Sequence, residues 1–454
     1  MALTDFDLVI VGSGSGNALI TPDFDDRSVA LVEAGAFGGT CLNHGCIPTK
    51  MLVYTAQVAQ TVRQAARFGL DAHLDDVRWT DIRDRIFNRI DPTSMGGKRD
   101  RQESKSITVI AGTAAFNGER SLLVNGVDTL TARQMVIATG ARPIVPDVVS
   151  ASGVPFHTSD TMMRIDRLPA TLVILGGGYV AAEFAHIFSG LGVAVRVVTR
   201  GPGLLRALDS DLSARFTAQA ADRWELHLSA DVTAVRGNRD RVELTLADGA
   251  TVAGDLLLVA TGRQPNSDRL NLPAAGVEVH PSGRIKVDQF GRTTAPNTWA
   301  LGDVSSGYQL KHVANAEART VGHNLTHPGD PRPLRHRFVP SAVFTSPQIA
   351  SVGATGQQLR AGGRPFVTAT QAYSDTAYGW AAEDHDGFCR LYADPRTGLL
   401  LGAHLMGLEA SNIIQPLIQA MTLDQPVAQV ARDQFWIHPA LSEVVENALL
   451  KLGL

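Results

Sequence analysis

Two stretches of this chain repeat one pattern, a short apolar run entering a glycine-rich turn. That repetition limits the fold more than any other feature. Residues 7–11 (DLVIV) are followed at once by Gly12, Gly14 and Gly16, and residues 28–33 (SVALVE) read as the next strand. Residues 171–175 (TLVIL) are followed by Gly176, Gly178 and Ala181 in G-x-G-x-x-A spacing, then a helix from Tyr179 and a strand over 194–198. Short apolar runs of this kind form buried parallel strands. Strand, glycine turn, helix, strand is the dinucleotide fingerprint, in which glycines admit a pyrophosphate close to the backbone. The fold class predicted is α/β, with two Rossmann-like dinucleotide-binding domains.

The two units differ in ways that bear on their ligands. In the first, the third fingerprint glycine is replaced by Asn17, and Pro22 with three aspartates shortens the expected helix. Glu33 stands where an acid accepts from a ribose hydroxyl. In the second, the acid expected of an NAD site is replaced by Thr199, followed by Arg200 and Arg206. Two guanidiniums beside an adenosine ribose suit a 2′-phosphate through bidentate charge-assisted bonds. The competing reading is a solvated basic loop; the inference drawn is NADP rather than NAD.

Between the two units lies GGTCLNHGCIPTK, Gly38 to Lys50, with two of the chain's three cysteines. Cys41 and Cys46 precede a proline, a threonine and an apolar run, so they sit where a loop enters a helix. A helix N-terminus favours an anion, and a thiol there ionises more readily. A low-pKa thiol beside a second thiol is what a dithiol–disulfide couple needs. A static disulfide and half a zinc site are the alternatives; no second cysteine pair follows at metal-ligand spacing, and no metal site is predicted.

The rest of the chain supplies candidate contacts and a coarse element map. A long amphipathic helix is predicted over 55–69 and a second over 79–90, with 91–104 a polar, mobile connection. Strands are predicted over 107–116 and 122–130. The segment 134–142 (QMVIATGAR) is a buried strand ending in Thr139–Gly140, and 255–263 (DLLLVATGR) echoes it with Gly262. Small-residue turns at strand ends suit cofactor contacts in an open α/β sheet. In 299–304 (WALGDV), Asp303 after Gly302 can reach a ribityl or pyrophosphate group, or simply close a turn. A helix over 314–324 returns the chain to its first domain. From Val339 the pattern becomes an antiparallel sheet (342–344, 349–352, 388–392, 399–406) with helices near 411–422 and 427–432. Cys389 reads as a buried core thiol. His438 with Glu443 offers an acid–base imidazole and a carboxylate to orient it. The domains read as 1–145 and 266–335 together, 146–265, and 336–454.

Composition bounds the function classes. The 454 residues are 44% hydrophobic and 19% charged, with net charge −4, an ordinary globular balance. That charge makes no electrostatic case for nucleic acid or an anionic membrane. Three cysteines in so long a chain point to a reducing compartment. The N-terminus lacks a basic region before an apolar core, so no signal peptide is predicted. The longest apolar stretch, 172–182, is too short to span a bilayer. A cytoplasmic location is expected.

With the glycine turns, CLNHGCIPTK, ATGR, ALGDV and the terminal HPALSE in this order, the whole chain resembles the pyridine nucleotide–disulfide oxidoreductases. Within that family GGTCLNHGCIPTKMLVYTAQVA, FGLDAH, FHTSDTMMRI and HPALSEVVENALL are most similar to the branch that reduces mycothione, a sugar–inositol disulfide. His44, between the cysteines, departs from the usual apolar residue. The resemblance implies FAD on the first domain, at Gly12, Gly14, Gly16, Glu33, Gly39, Thr40, Lys50, Thr139, Gly140, Gly302 and Asp303. It implies NADPH on the second, at Gly176, Gly178, Tyr179, Ala181, Arg200, Arg206 and Gly262, with Tyr179 covering the flavin face. Lys50 is implied to pair with Glu183 near flavin N5. Cys46 is implied to face the flavin as the resting thiolate, and Cys41 to exchange with the substrate. The C-terminal domain is implied to form a homodimer in which His438 and Glu443 serve the partner's cysteines. Lipoamide dehydrogenases carry an acid in place of Thr199, and mercuric reductases a C-terminal cysteine pair. Glutathione reductase shares both cofactors. A catalytically idle flavin-binding assembly component is the reading from another class.

Overall fold

A computed structural model describes residues 3–454. The strand Leu3–Val11 lies at the centre of a seven-stranded sheet. Its residues Leu8, Val9 and Ile10 are fully buried, which is why the run is apolar without alternation. Val29–Glu33 pairs parallel on one side and Asp128–Ile137 on the other. Ile107–Ala111 extends the sheet beyond Val29–Glu33. Ser121–Val124 and Ala114–Gly118 add an antiparallel edge. The seventh strand, Thr298–Ala300, pairs parallel with Asp128–Ile137. The chain therefore comes back to its first sheet after building the second.

The second sheet is parallel throughout: Glu225–His227, Ala194–Val198, Thr171–Leu175 and Leu256–Val259 in that order. A three-stranded antiparallel sheet, Val232–Gly237, Val242–Leu246 and Thr251–Gly254, accompanies it. Where the chain crosses between the two parallel sheets, Ala141–Pro143 and Arg263–Pro265 pair antiparallel. The C-terminal part is a five-stranded antiparallel sheet: Ser341–Val343, Gln348–Gly353, Leu400–Gly407, Phe388–Ala393 and Val367–Ala372. Helices Gln415–Thr422, Val427–Arg432 and Ser442–Leu450 close its core. Cys389 is fully buried there, and burial pushes its thiol far above the ordinary range. Among the described residues no helix is long and apolar enough to cross a membrane.

The structure corrects the element map in three places. Residues 91–104 are not a mobile connection; they continue one helix, Trp79–Glu103, through Pro92. Local signals argue for a break there, and tertiary contacts override them. Ser94, buried, donates its hydroxyl to Phe37 O at 2.6 Å. Arg101 Nε donates to Asn17 Oδ1 at 2.8 Å, so the residue replacing the third glycine anchors this helix. Residues 122–130 are not one strand but a hairpin, turned by Asn125 and Gly126, both at positive φ. The Asn-Gly pair is the strongest short-range signal for that turn. Residues 107–116 likewise divide into two strands at Gly112–Thr113, where Thr113 N–H donates to Asn125 Oδ1 at 3.0 Å. The strand Val367–Ala372 and the helix Ser442–Leu450 were not read from the sequence.

Ser94 gives a direct check on the long helix. Ser94→Ala removes one of two buried donors to the Phe37 carbonyl, which keeps the Asn43 amide, a loss of about 0.5–1.5 kcal/mol. Thermal or denaturant unfolding should show a lowered midpoint; an unchanged midpoint would mean the second half of the helix is held by other contacts.

Candidate active site

The two glycine turns are built alike. Gly12 has φ +107, and a Cβ there would stand 2.4 Å from Ala138 O. Gly176 has φ +135, and a Cβ would stand 2.2 Å from Ala260 O. Each ATG segment thus lies against the first glycine of its own turn, and only glycine permits the approach. Gly14 and Gly39 meet backbone to backbone: a Cβ on Gly39 would stand 2.6 Å from Gly14 Cα. This brings the cysteine-bearing loop onto the first dinucleotide turn.

Around that turn the polar groups fit a flavin dinucleotide. Glu33 is held by Ser13, whose N–H and hydroxyl donate to Oε2 at 2.8 and 2.6 Å, and by Gly35 N–H to Oε1 at 2.8 Å. Ser13 was missed in the sequence, although it sits inside the glycine turn. Thr139 Oγ1 is buried with no hydrogen-bond partner among the described residues, an arrangement that a bound group would complete. Asp303 is half-buried after Gly302. Burial raises its carboxyl pKa against the opposing charges of Arg263 and Lys311. Gly302 N–H donates to buried Glu317 at 2.7 Å, which fixes the turn.

Cys41 lies in the short helix Gly39–Asn43, and Cys46 is the first residue of the helix Cys46–Arg63. The buried Asn43 amide donates to Phe37 O at 2.9 Å and Gly39 O at 3.0 Å, locking the loop between them. A Cβ on Gly45 would stand 2.8 Å from Thr40 O, so this step of the loop also needs glycine. Among the described residues neither thiol is in a disulfide, and the two share a hydrogen bond. The bond from Cys46 lowers the Cys41 pKa to about 7, with Lys311 helping and burial opposing. The same bond keeps the proton on Cys46 and raises its pKa. The two sulfurs titrate as one unit. His44 Nε2 lies 3.9 Å from Asp160 Oδ1. Its pKa is lowered, by burial first and by Arg263 and Arg164, with Asp160 opposing.

Lys50 and Glu183 come from different sheets' helices. Those helices approach closely at Ala56 and Gly190, where a Cβ on Gly190 would stand 2.8 Å from Ala56 Cβ. Lys50 Nζ lies 2.6 Å from Glu183 Oε2. Glu183 Oε1 accepts from Phe344 N–H at 3.0 Å, and Lys50 Nζ sits 4.3 Å from the Phe344 ring centroid. Phe344, from the C-terminal part, was not among the sequence candidates. Its bond to Glu183 is made by a backbone N–H, which leaves no residue-type signal; only its ring, against Lys50, depends on residue type.

A cleft of about 130 Å³ opens at the second glycine turn, lined by Ser159, Gly178, Tyr179, Gly262 and Arg263 among others. Tyr179 is 45% exposed at its mouth, and a Cβ on Gly178 would meet nothing within 4 Å. That open space is what a bound phosphate or nicotinamide ribose requires. Ala181 is buried in the helix behind. Arg200 and Arg206 are exposed, and among the described residues neither pairs with a carboxylate. Thr199 is buried against Gly177. This set fits a dinucleotide carrying an extra phosphate.

His438 Nδ1 bonds Glu443 Oε1 at 2.7 Å, and Glu443 Oε2 accepts from Ala440 N–H at 3.2 Å. The imidazole is 72% exposed while Glu443 is 17% exposed. Among the described residues no hydrogen bond joins His438 to Cys41 or Cys46. Phe435 and Ile437 beside it are also exposed.

The family model for pyridine nucleotide-disulphide oxidoreductases matches residues 6–318, and the model for that family's dimerisation domain matches 339–449. The chain belongs to the pyridine nucleotide-disulphide oxidoreductases. It is an oxidoreductase that uses FAD and NADPH to reduce a disulfide. Mycothione reductase of Mycobacterium tuberculosis is 50% identical over 98% of this chain and 99% of the relative. Glutathione reductase of Burkholderia cepacia is 32% identical over 97% of each. Dihydrolipoyl dehydrogenase of Halobacterium salinarum is 32% identical over 98% of this chain and 96% of the relative. Among solved structures, the flavoprotein disulfide reductase RclA of Escherichia coli, as its Cu(II) complex, superposes with a TM-score of 0.88 at 28% identity, covering 99% of each chain. The predicted fold class and both cofactor types agree with these relationships, and the exposed cluster around His438 falls in the family's dimerisation domain.

Proposed function

We propose that this oxidoreductase reduces mycothione to mycothiol in the cytoplasm, as a homodimer with shared active sites. Residues 1–145 with 266–335 take FAD, 146–265 take NADPH, and 336–454 pair with a second copy. The observation carrying the substrate is the 50% identity to a mycothione reductase over essentially the whole chain, against 28–34% for the relatives with other substrates. The flavin supplies the two-electron relay between nicotinamide and the Cys41–Cys46 disulfide. FAD is held at Gly12, Gly14, Glu33, Gly39, Thr40, Thr139 and Asp303, with Lys50 and Glu183 setting a charge pair beside it. NADPH is held at Gly178, Tyr179, Gly262, Arg200 and Arg206.

The residues then work as follows. The Cys41 thiolate attacks one sulfur of the substrate disulfide and forms a mixed disulfide. The departing thiolate takes a proton from His438 of the other protomer, whose ring Glu443 holds in place. Cys46 then attacks Cys41, re-forms the internal disulfide and releases the second thiol. Two electrons and one proton come from NADPH, and one proton from solvent, for two thiols made. The low Cys41 pKa keeps the attacking sulfur ionised near neutral pH.

The substrate assignment is tested by steady-state NADPH oxidation with mycothione, glutathione disulfide and lipoamide. Mycothione should have the highest kcat/KM; a higher value for either of the others would reassign the substrate. Coenzyme choice has its own test. Replacing Arg200 and Arg206 with neutral residues should raise the NADPH KM at least about tenfold, as for two lost charge-assisted contacts, and leave the NADH KM nearly unchanged. An equal change in both would mean these arginines read no phosphate.

A further inference from the structure

The loop 200–209, between the strand Ala194–Val198 and the helix Ser210–Ala221, carries Arg200 and Arg206. It is held from two sides. On the inner side, Leu205 N–H donates to Gly177 O at 2.8 Å, so the backbone next to Arg206 hangs from the second glycine turn. On the outer side the anchor is the C-terminal domain. Asp209, 2% exposed, accepts with Oδ2 from Gly356 N–H at 2.9 Å and from the Tyr392 hydroxyl at 3.0 Å. Its Oδ1 accepts from Asp211 N–H at 3.2 Å and caps the helix. Gln357 closes around the same backbone: Nε2 donates to Leu208 O at 2.9 Å, and Oε1 accepts from Ser210 N–H at 3.2 Å. Arg390 pairs with Asp211. Every residue from Leu208 to Asp211 is therefore bonded to the C-terminal domain.

The contact is specific in shape as well as in polarity. A Cβ on Gly356 would stand 2.5 Å from the Tyr392 hydroxyl, so only glycine lets that hydroxyl reach Asp209. A buried carboxylate is costly unless its hydrogen bonds are complete. Here burial works against ionisation, and the donors Gly356 and Tyr392 with the His404 side chain outweigh it, so the Asp209 pKa is lowered. None of these groups touches the cysteines, the cleft or the His438 site. Arg206, in contrast, is an exposed side chain with no carboxylate partner among the described residues. Its value to a phosphate depends on how far its backbone is already fixed before binding.

We propose that Asp209, Gln357 and Tyr392 are positioning residues that hold Arg206 for the coenzyme's 2′-phosphate. The domain matched as dimerisation domain thereby also sets the preference for NADPH over NADH. This rests on the reading of Arg200 and Arg206 given above.

The test uses the full-length holoenzyme with Tyr392→Phe, Gln357→Ala and the pair combined, beside Arg206→Ala. Steady-state kcat and KM are measured with NADPH and NADH, and binding of adenosine 2′,5′-bisphosphate is compared with 5′-AMP. The combined variant should raise the NADPH KM and the 2′,5′-bisphosphate Kd about fivefold to tenfold, in keeping with loss of preorganisation around a charged contact. The kcat, NADH KM and 5′-AMP Kd should stay within about twofold. If the combined variant does not fold, Tyr392→Phe alone decides, since it keeps the ring, the Gly356 bond and the helix cap; it should show the same selective shift at smaller size. Equal rises for both coenzymes, or no rise while Arg206→Ala selectively raises the NADPH KM, would overturn the positioning role and leave the arginine assignment standing. If Arg206→Ala itself fails to separate the coenzymes, the arginine assignment falls and the positioning role falls with it.

Discussion

Cys41→Ser will abolish disulfide turnover while the bound flavin is still reduced by NADPH. The separation follows from where Cys41 stands. It is carried by the loop that the Gly14–Gly39 approach seats on the first dinucleotide turn, and the bond from Cys46 lowers its pKa. Serine keeps the size and loses the thiolate, so no mixed disulfide forms. The dinucleotide turns and the cleft at Tyr179 are untouched, so electron entry continues. Stopped-flow flavin absorbance and a thiol-release assay on one preparation read both halves. Retained disulfide turnover would show that another sulfur is the nucleophile. The same pair predicts a pH effect in reduced wild-type enzyme. The Cys41 pKa is lowered to about 7, so the thiolate, and with it alkylation of Cys41, should grow in as pH rises through about 7 and fade below it. A midpoint near that of a free thiol, about 8.5, would mean the shared bond does not form in solution.

The second large effect is at His438. His438→Ala removes the proton donor proposed for the departing thiolate and should slow disulfide turnover about 10²–10⁴-fold, the usual range for a lost acid–base group. Flavin reduction by NADPH should be unaffected. On the proposed shared site this effect is a property of the dimer; among the described residues no hydrogen bond joins His438 to Cys41 or Cys46. Refolding Cys41→Ser with His438→Ala subunits therefore gives the sharper result. Each parent is inactive, but a mixed dimer has one site with both wild-type groups. Statistical mixing should restore about a quarter of wild-type activity, as two-fold symmetry requires. A mixture as inactive as its parents would place His438 outside the reacting site or the site within one chain.

Much of the site lay open in the residues themselves because its chemistry depends on residue type. The glycines at 12, 39 and 176 are required by backbone approaches no other residue survives. The cysteine pair, Lys50 with Glu183 and His438 with Glu443 each carry a functional group that nothing else supplies, and the last two pairs meet at 2.6 and 2.7 Å. Other members were illegible for the opposite reason. Phe344 contributes a backbone N–H, which any residue has. Ser13 and Asn43 act through bonds of 2.6 to 3.0 Å that depend on the loop's path. The clasp on Asp209 joins positions far apart in the chain, and no local pattern announces it.

The same division runs through the fold. Buried parallel strands announce themselves because both faces are covered, so Leu8, Val9 and Ile10 or Leu172, Val173 and Ile174 must all be apolar. By itself the residue order determined two dinucleotide turns, one thiol pair and an antiparallel C-terminal sheet. Tertiary structure alone decided that the helix Trp79–Glu103 continues through Pro92, since Ser94 and Arg101 are held by groups on Phe37 and Asn17. It alone decided what fixes the loop around Arg206. Residue type dictates local geometry and chemistry, whereas a hydrogen bond between distant segments exists only once packing has brought them together.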